Sequence, residues 1–279
     1  MCLYISSLNS GSNGNCYYVA NEEEAILIDA GISCREIEKR LKRLNLLIQK
    51  IKAVFISHEH SDHIKGLEVL AKKYHLPVYI TSKTKTNCGV KIDNDLCKSF
   101  DENESVMVGK LAVTAFPKSH DAIDPYSFLV SFNGICVGVF TDIGSPCTRL
   151  IDSFKQCHAA FLEANYDDEM LQKGRYPIYL KKRIGGDKGH LSNRQALDLF
   201  LNYRPSFMSH LLLSHLSKNN NRPELVEQLF NQHCGNVKII VASRDEETKV
   251  FQIDDKKEIA SQKYQMARPT AIQAEFSFS

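Results

Sequence analysis

The segment HEHSDH at residues 58–63 places three histidines and two carboxylates within six consecutive positions. It follows a predicted buried strand at residues 53–57 and precedes a predicted helix at residues 64–74. Imidazole nitrogens bind zinc, iron, cobalt or manganese, and carboxylates add oxygen ligands and negative charge. Alternate residues of an extended turn point the same way, so His58 and His60 face one position while the last two residues face another. The spacing therefore predicts one loop that serves two adjacent metal ions.

Two other interpretations of this segment are weaker. The zincin motif HExxH requires a second histidine four positions after His58, on a helix, whereas this chain has Asp62 there and leaves a strand. A polar surface turn is the second alternative, but four ligand-type residues rarely crowd a turn directly after a buried strand. Metal binding is the better interpretation.

Acidic or histidine residues also follow other predicted strands. The predicted strands are residues 25–28, 53–57, 78–81, 111–116, 126–132, 135–140, 211–214 and 237–241. The residues that follow five of them, directly or within a few positions, are Asp29, His58, His120, Asp142 and His215. Strands are rigid supports, so ligands at their ends are well placed to assemble a metal site.

Helical patterns lie between some of these strands. Ser33 and Glu36 have the spacing of a capping box, which predicts a helix to about residue 47. Ser192 and Gln195 repeat this spacing before a helix to about residue 203. Pro223 indicates the first turn of a helix to about residue 233. The mixture predicts an α/β protein in which helices cover sheets.

Composition restricts the class of protein. The 279 residues carry a net charge of only +2, which neither requires nor excludes a nucleic-acid partner. Nine cysteines without a CxxC pair favour reduced thiols in the cytoplasm over a disulfide framework or a zinc–cysteine site. Neither a signal peptide nor a membrane span is apparent, so we expect no membrane association. Without a linker, the chain predicts a single domain at residues 1–261 and an extension of unknown order at 262–279.

Taken together, these motifs resemble the metallo-β-lactamase superfamily. HxHxDH is followed in family order by His120, Asp142 in TDIG and His215 in LSHLS, and is preceded by Asp29 in DAG. The resemblance extends over about residues 8–241 and implies an αββα sandwich, in which two mixed β-sheets are flanked by helices.

The resemblance also implies a ligand set for two divalent ions, whether zinc, manganese or iron. The first ion would be held by His58, His60 and His120. The second would be held by Asp62, His63 and His215. Asp142 would bridge the two ions, and Asp29 would orient a ligand by hydrogen bonding.

Further blocks are similar to the YycJ/WalJ/VicX branch of the superfamily. They are SGSNGNC at 10–16, SHEHSDHIKG at 57–66, LKKRI at 180–184, GHLSN at 189–193 and LSHLSKN at 213–219. That branch is associated with metal-dependent DNA exonuclease activity. FLEAN at 161–165 and Gly189-His190 are more distantly similar to tRNase Z, although no insertion resembles its tRNA-clamping arm.

The predicted reaction is phosphodiester hydrolysis. A hydroxide shared by the two ions would attack phosphorus in line, with Asp62 serving the reaction as a ligand. His190 is the candidate donor of a proton to the leaving sugar oxygen, held and charged by Glu163. Alternatively, His190 only packs beside the capping box, and Glu163 is a solvated acid.

A basic stretch predicts where the substrate binds. Its residues 173–194 include the candidate phosphate contacts Arg175, Lys181, Lys182 and Arg183, and two tyrosines able to stack on bases. A solvated basic loop is the alternative. The Gly- and Ser-rich stretch at 10–15 is either a phosphate-binding turn or an ordinary one.

We therefore predict a DNA exonuclease whose partner is nucleic acid, with DNA favoured over RNA. Three alternatives stay open. They are a small-molecule hydrolase acting on a cyclic phosphodiester, lactone or thioester, a non-catalytic binding protein, and an iron redox protein of the same fold. The small-molecule hydrolase would share the metal site but would not need the basic stretch, and a non-catalytic nucleic-acid or regulatory binding protein would not need every ligand position filled.

Overall fold

A computed structural model describes residues 2–102 and 104–255. The predicted extension at 262–279 lies outside the described residues. Among the described residues, no helix combines the length and the apolar character needed to cross a membrane.

The chain alternates strands and helices. The strands are β1 (Leu3–Asn9), β2 (Cys16–Ala20), β3 (Ala25–Ile28), β4 (Ile51–Phe55), β5 (Val78–Tyr79), β6 (Cys97–Lys98), β7 (Ser105–Val108), β8 (Leu111–Pro117), β9 (Tyr126–Phe132), β10 (Ile135–Phe140), β11 (Ala159–Glu163), β12 (His210–Ser214), β13 (Lys238–Val241) and β14 (Phe251–Ile253). The helices are α1 (Cys34–Arg43), α2 (Ser61–Ile64), α3 (Leu67–Tyr74), α4 (Ser82–Asn87), α5 (Thr148–Phe154), α6 (Asp168–Lys173), α7 (Ile178–Ile184), α8 (Asn193–Tyr203) and α9 (Pro223–Asn231), with a 3-10 turn at Ile48–Lys50.

Two seven-stranded sheets form the centre of the molecule. Their strand orders are β14-β1-β2-β3-β4-β5-β6 and β13-β12-β11-β10-β9-β8-β7. Each sheet is mixed, because antiparallel pairs at one side give way to parallel pairs such as β3 with β4 and β11 with β12. The predicted pair of mixed sheets is confirmed.

Three apolar clusters explain the layering. The central cluster joins the inner faces of both sheets, for example through Phe55 and Phe128, whose rings meet edge to face. A second cluster packs the outer face of the first sheet against α1 and α3. A third packs the second sheet against α5, α8 and α9. Helices therefore cover both outer faces, and the αββα sandwich is confirmed.

Parallel strands bring the site residues to one edge. Strands β3 and β4 run parallel in one sheet, and β10, β11 and β12 run parallel in the other. Their carboxyl ends lead into the loops that contain Asp29, His58, Asp142 and His215. Glu163 is the last residue of β11.

Some element boundaries differ from the predictions. The helix predicted at 64–74 begins earlier, at Ser61, and is interrupted after Ile64. A Cβ at Gly66 would lie 2.0 Å from the Ile32 carbonyl oxygen, so the chain passes too closely there for a side chain. The first helix ends at Arg43 because Asn45 takes a left-handed conformation, with φ 56°. The full capping box of Ser192 and Gln195 is present.

The strand β1 was not predicted. Its sequence LYISSLN lacks alternation, and both serines are buried. The Ser6 hydroxyl donates to the Thr248 carbonyl, and the Ser7 backbone N–H donates to the Thr248 hydroxyl. A partner more than 240 positions away satisfies these polar groups, and local patterns do not reveal it.

Candidate metal centre and catalytic site

Three histidines converge at the first part of the site. His60 Nδ1 lies 3.1 Å from His58 Nε2 and 3.4 Å from His120 Nε2. The other nitrogens of His58 and His120 are held from behind, since His58 Nδ1 lies 2.9 Å from Ser57 Oγ and His120 Nδ1 donates to the Gly189 carbonyl at 3.0 Å. These contacts orient the rings so that one nitrogen of each faces a shared point.

The second group consists of Asp62, His63 and His215. Asp62 Oδ2 lies 3.6 Å from His63 Nε2 and 3.4 Å from His215 Nε2. His63 Nδ1 donates to Asp29 Oδ2 at 2.7 Å, between two side chains that are fully buried. His215 Nδ1 donates to Glu163 Oε1 at 3.0 Å. Buried carboxylates thus fix both rings with Nε2 turned inward.

Asp142 lies between the two groups. Its Oδ1 is 3.8 Å from His120 Nε2 and 3.4 Å from His215 Nε2, and its Oδ2 is 3.2 Å from His63 Nε2. Oδ2 is buried and has no hydrogen-bond partner. A buried carboxylate oxygen without a donor is costly unless a cation or proton lies against it.

The backbone turns sharply at three of these positions. Asp29, Asp142 and His215 have φ angles of 62°, 55° and 57°, in the left-handed region. Non-glycine residues occupy this region at a cost of roughly 1–3 kcal/mol each, and such strain concentrates at functional sites. Here it turns each side chain from the end of a strand toward the other ligand-type residues.

The charges of the site suit divalent cations. Burial lowers the pKa of His58 well below its usual value, so its lone pair is available. Burial also acts to lower the pKa of His63, but Asp142, Asp29 and Asp62 outweigh it and raise that pKa to about 10. This excess of negative charge is what a bound cation would neutralise. The donor set therefore fits metal ions.

Glu163 and His190 form a pair beside the ligand-type residues. His190 Nδ1 donates to Glu163 Oε1 at 2.8 Å. Glu163 is fully buried, and its Oε2 accepts from the backbone N–H groups of Ile143 and Leu191 at 2.7 and 3.2 Å. Burial acts to raise the pKa of Glu163, but His190 and His215 hold it at about 2. The alternative that Glu163 is a solvated acid is wrong.

The Gly- and Ser-rich stretch at 10–15 braces the site. Four of its six backbone N–H groups, those of Ser10, Gly11, Gly14 and Asn15, already have acceptors, such as the Asp62 carbonyl for Asn15. Asn15 Nδ2 also lies 3.3 Å from Asp62 Oδ2 and 3.1 Å from His63 Nε2. Because these N–H groups are already used, the phosphate-binding interpretation of the turn is not supported.

Lys118 is a buried cation that local sequence patterns do not reveal. Its Nζ donates to the Thr141 carbonyl at 2.7 Å, directly before Asp142. Burial lowers the pKa of Lys118. The only signal in the sequence is its position two residues before His120, which does not distinguish it from a surface lysine.

The basic stretch runs from the last residue of α6 through α7 and the loop that contains His190 to the start of α8. Arg183 pairs with Asp121, and Lys181 Nζ donates to the Gln172 carbonyl at 2.6 Å. Arg175 and Lys182 are exposed. The loop is attached to the metal-site loops, because Ser119 Oγ donates to the Asp187 carbonyl at 2.6 Å. Two of the four predicted phosphate contacts are thus already engaged within the molecule.

Several known proteins are similar to this chain in sequence. The model of the β-lactamase superfamily domain matches residues 24–215. The exodeoxyribonuclease YycJ of Bacillus anthracis is 38% identical over 83% of this chain and 89% of that protein. The exodeoxyribonuclease WalJ of Streptococcus pneumoniae is 33% identical over 81% and 87%.

Solved structures share the fold. The metallo-β-lactamase fold protein YhfI of Bacillus subtilis has a TM-score of 0.69 at 16% identity, over 90% of this chain and 100% of that one. The short form of human tRNase Z has a TM-score of 0.63 at 17% identity, over 90% and 99%. At these identities the likeness concerns architecture alone.

Proposed function

The chain belongs to the β-lactamase superfamily, and we propose that within it the protein is a metal-dependent nuclease that degrades DNA from its ends. One observation supports this most directly. This chain is 38% identical to an exodeoxyribonuclease over 83% of its length. Its ligand-type residues lie together at one edge of the sheets, beside the His190–Glu163 pair. The cytoplasmic location and the single domain at 1–261 stay predictions.

Two divalent ions are proposed, with zinc, manganese and iron as candidates. The first ion would be held by His58, His60 and His120. The second would be held by Asp62, His63 and His215. Asp142 would contact both ions. Two observations support this division. The ring nitrogens of each group face inward, and Asp142 Oδ1 lies 3.8 Å from His120 Nε2 in the first group and 3.4 Å from His215 Nε2 in the second. Ions held there would activate water near neutral pH and stabilise negative charge on the phosphate.

Asp29 is proposed as a positioning residue for the second ion. Its carboxylate accepts from His63 Nδ1 and also from the Ser57 backbone N–H and hydroxyl, each at 2.7–2.8 Å. These bonds hold Nδ1 against Asp29, so that Nε2 is the nitrogen that faces the site and would bind a metal ion.

His190 is proposed to protonate the leaving sugar oxygen. Its side chain is 21% exposed, whereas those of His58, His63, His120 and His215 are nearly or fully buried. Glu163 accepts from Nδ1 and fixes the ring, so Nε2 is the ring nitrogen left to pass a proton to the leaving oxygen. The Asp62 side chain is also 21% exposed, so a substrate could reach this proposed catalytic ligand.

The DNA backbone is proposed to follow the basic stretch. Arg175 and Lys182 are exposed and need no rearrangement to meet phosphates. Lys181 and Arg183 would exchange the Gln172 carbonyl and Asp121 for phosphate oxygens. Cationic contacts of this kind supply affinity without reading base sequence.

A degradation assay tests this proposal. Purified protein with Mn²⁺ or Zn²⁺ is incubated with end-labelled linear duplex, closed circular DNA and single-stranded RNA, beside Asp142→Ala. We expect only the linear duplex to be lost, with no loss in the variant. Cleavage of circular DNA would contradict end dependence. Hydrolysis of bis(p-nitrophenyl) phosphate without any polymer cleavage would assign a small-molecule hydrolase instead.

A further inference from the structure

Helix α7 carries the two most exposed large apolar side chains of the described part of the chain. They are adjacent, and residues Ile178 and Tyr179 are 73% and 74% exposed. None of the seven residues of α7 is buried, although a helix this short depends on packing for most of its stability. The Ile184 carbonyl accepts the His190 backbone N–H at 2.9 Å, so α7 leads directly to the proposed proton donor. Adjacent apolar side chains in water beside a reaction site indicate a binding surface.

Positive charges lie one helical turn after these two side chains. Lys181 and Lys182 follow Ile178 at the third and fourth positions, and Lys182 and Arg183 follow Tyr179 at the same spacing. Side chains three and four residues apart share one face of a helix. The first set of three in fact lines one cavity of about 620 Å³ between α6 and α7. Each exposed apolar side chain therefore has two cationic side chains beside it.

The charges indicate which kind of partner fits this helix. Residues 175–188 contain five basic side chains and one acidic side chain. A second copy of the chain that docked symmetrically on this face would bring the same positive charges against them, and lysine is depleted in protein–protein contacts. An unpaired DNA strand offers regularly spaced phosphates together with the flat faces of its bases. It is the partner that matches both the cations and the apolar side chains.

The length of α7 indicates which bases would meet Tyr179. Tyr179 precedes Ile184 by five residues, which is about 7.5 Å along the helix axis at 1.5 Å per residue. Stacked nucleotides are spaced about 3.4 Å apart along one strand. A base on Tyr179 would therefore lie roughly two to four nucleotides from the bond that is cut beside His190.

We propose that Ile178 and Tyr179 form a base-stacking platform for an unpaired stretch of the DNA strand, with Lys182 on its phosphates. The inference rests on the proposed function and extends it, because it identifies the form in which the strand reaches the site. Stacking is tolerant of sequence, since every base has a π-face. Paired bases in a duplex are already stacked on one another, so a blunt end would have to open before its bases could reach the platform.

The experiment measures kcat/KM for the first cut of a single-stranded DNA oligonucleotide by the metal-loaded full chain. Further oligonucleotides of the same sequence each lack one base, as an abasic site, at successive positions from either end. The proteins are wild type, Ile178→Ala, Tyr179→Ala and Tyr179→Phe, which keeps the ring. Met107→Ala is the control, because Met107 is 58% exposed and pairs with Ala112, near the end of β8 that lies farther from the metal-site loops. Thermal unfolding of each variant checks that it is folded.

We expect Tyr179→Ala to lower kcat/KM on the intact strand roughly 5- to 100-fold, the stacking of one base expressed as a rate ratio. Ile178→Ala should lower it severalfold. Tyr179→Phe and Met107→Ala should stay within about twofold of wild type, as exposed substitutions usually do. In wild type, an abasic site at one position or two adjacent positions should cost the same factor as Tyr179→Ala. The same abasic site should cost Tyr179→Ala nothing further, because the two losses concern one contact.

Other results would overturn the platform. Wild-type rates that respond to no abasic position would do so, as would additive losses from the abasic site and Tyr179→Ala. A loss in Tyr179→Phe equal to that in Tyr179→Ala would assign a hydrogen bond of the hydroxyl instead of stacking. Equal losses on bis(p-nitrophenyl) phosphate would indicate damage to the metal centre.

Two outcomes separate the platform from other roles of α7 and from the proposed function. Sedimentation measures whether wild type forms a dimer. If Tyr179→Ala loses that dimer and keeps the wild-type rate, the face binds a second copy instead of DNA. If wild type cuts no DNA, the proposed nuclease function fails together with the platform, whereas the other contrary results refute the platform alone.

Discussion

Replacing His190 with glutamine should separate proton donation from metal binding. In the structure, His190 provides one of four hydrogen bonds to Glu163. The variant leaves the bonds from His215, Ile143 and Leu191, so the carboxylate stays satisfied. We expect the free energy of unfolding to change by about 1 kcal/mol or less, the value of one hydrogen bond. The metal content should stay that of wild type.

The rate on DNA should fall far more. A general acid contributes roughly 10²- to 10⁴-fold, equivalent to about 3–5 kcal/mol in the activation free energy. A sugar alkoxide is a poor leaving group and needs the proton, whereas p-nitrophenolate leaves without one. We therefore expect His190→Gln to lose kcat on linear DNA while it hydrolyses bis(p-nitrophenyl) phosphate within a few fold of wild type.

The assay is steady-state hydrolysis of both substrates at saturating metal, with metal content measured on the same preparations. An equal loss on both substrates would refute proton donation and leave His190 a positioning role. Unchanged DNA cleavage would refute any role in the reaction.

Three further predictions concern the residues around the site. Asp29→Asn puts an amide N–H₂ or a weaker acceptor against His63 Nδ1. We expect its metal affinity to fall roughly 10- to 100-fold relative to wild type in a competition titration. Equal affinities would show that this bond does not position the ligand. Gly31→Ala places a Cβ 1.7 Å from the Asp62 carbonyl oxygen and should cost about 1–3 kcal/mol in urea unfolding and displace the metal loop. Gly185→Ala is its control, because the nearest atom to its Cβ would be 3.2 Å away, and a similar loss in both variants would contradict the close-approach argument. The double variant Arg175→Glu/Lys182→Glu should slow DNA cleavage at least tenfold at low salt and flatten its salt dependence. Lys52→Glu, at an exposed position near the start of β4, is the control and should have neither effect. An unchanged salt slope in the double variant would place the DNA track elsewhere.

Local sequence determined much of the framework. Apolar runs such as 126–132 and 135–140 correspond to β9 and β10 without error, since a buried strand needs a continuous set of apolar side chains. The capping box at Ser192 likewise depends only on residues three positions apart. The crowding of ligand types at 58–63 is visible in the same way, because six neighbouring residues cannot be far apart in space.

The meeting of distant residues depends on how the two sheets pack. Asp62 and His215 are 153 positions apart, and Ser10 and His215 are 205 apart. No local pattern shows that Glu163 is buried between two histidines, that Arg183 is paired with Asp121, or that Asn15 braces the metal loop. These features follow from parallel strands that end at one edge of two packed sheets. Residue types and their spacing along the chain show which side chains are able to bind and react. Packing sets which of them share a hydrogen bond, because a side chain's partners depend on the strands that lie beside it.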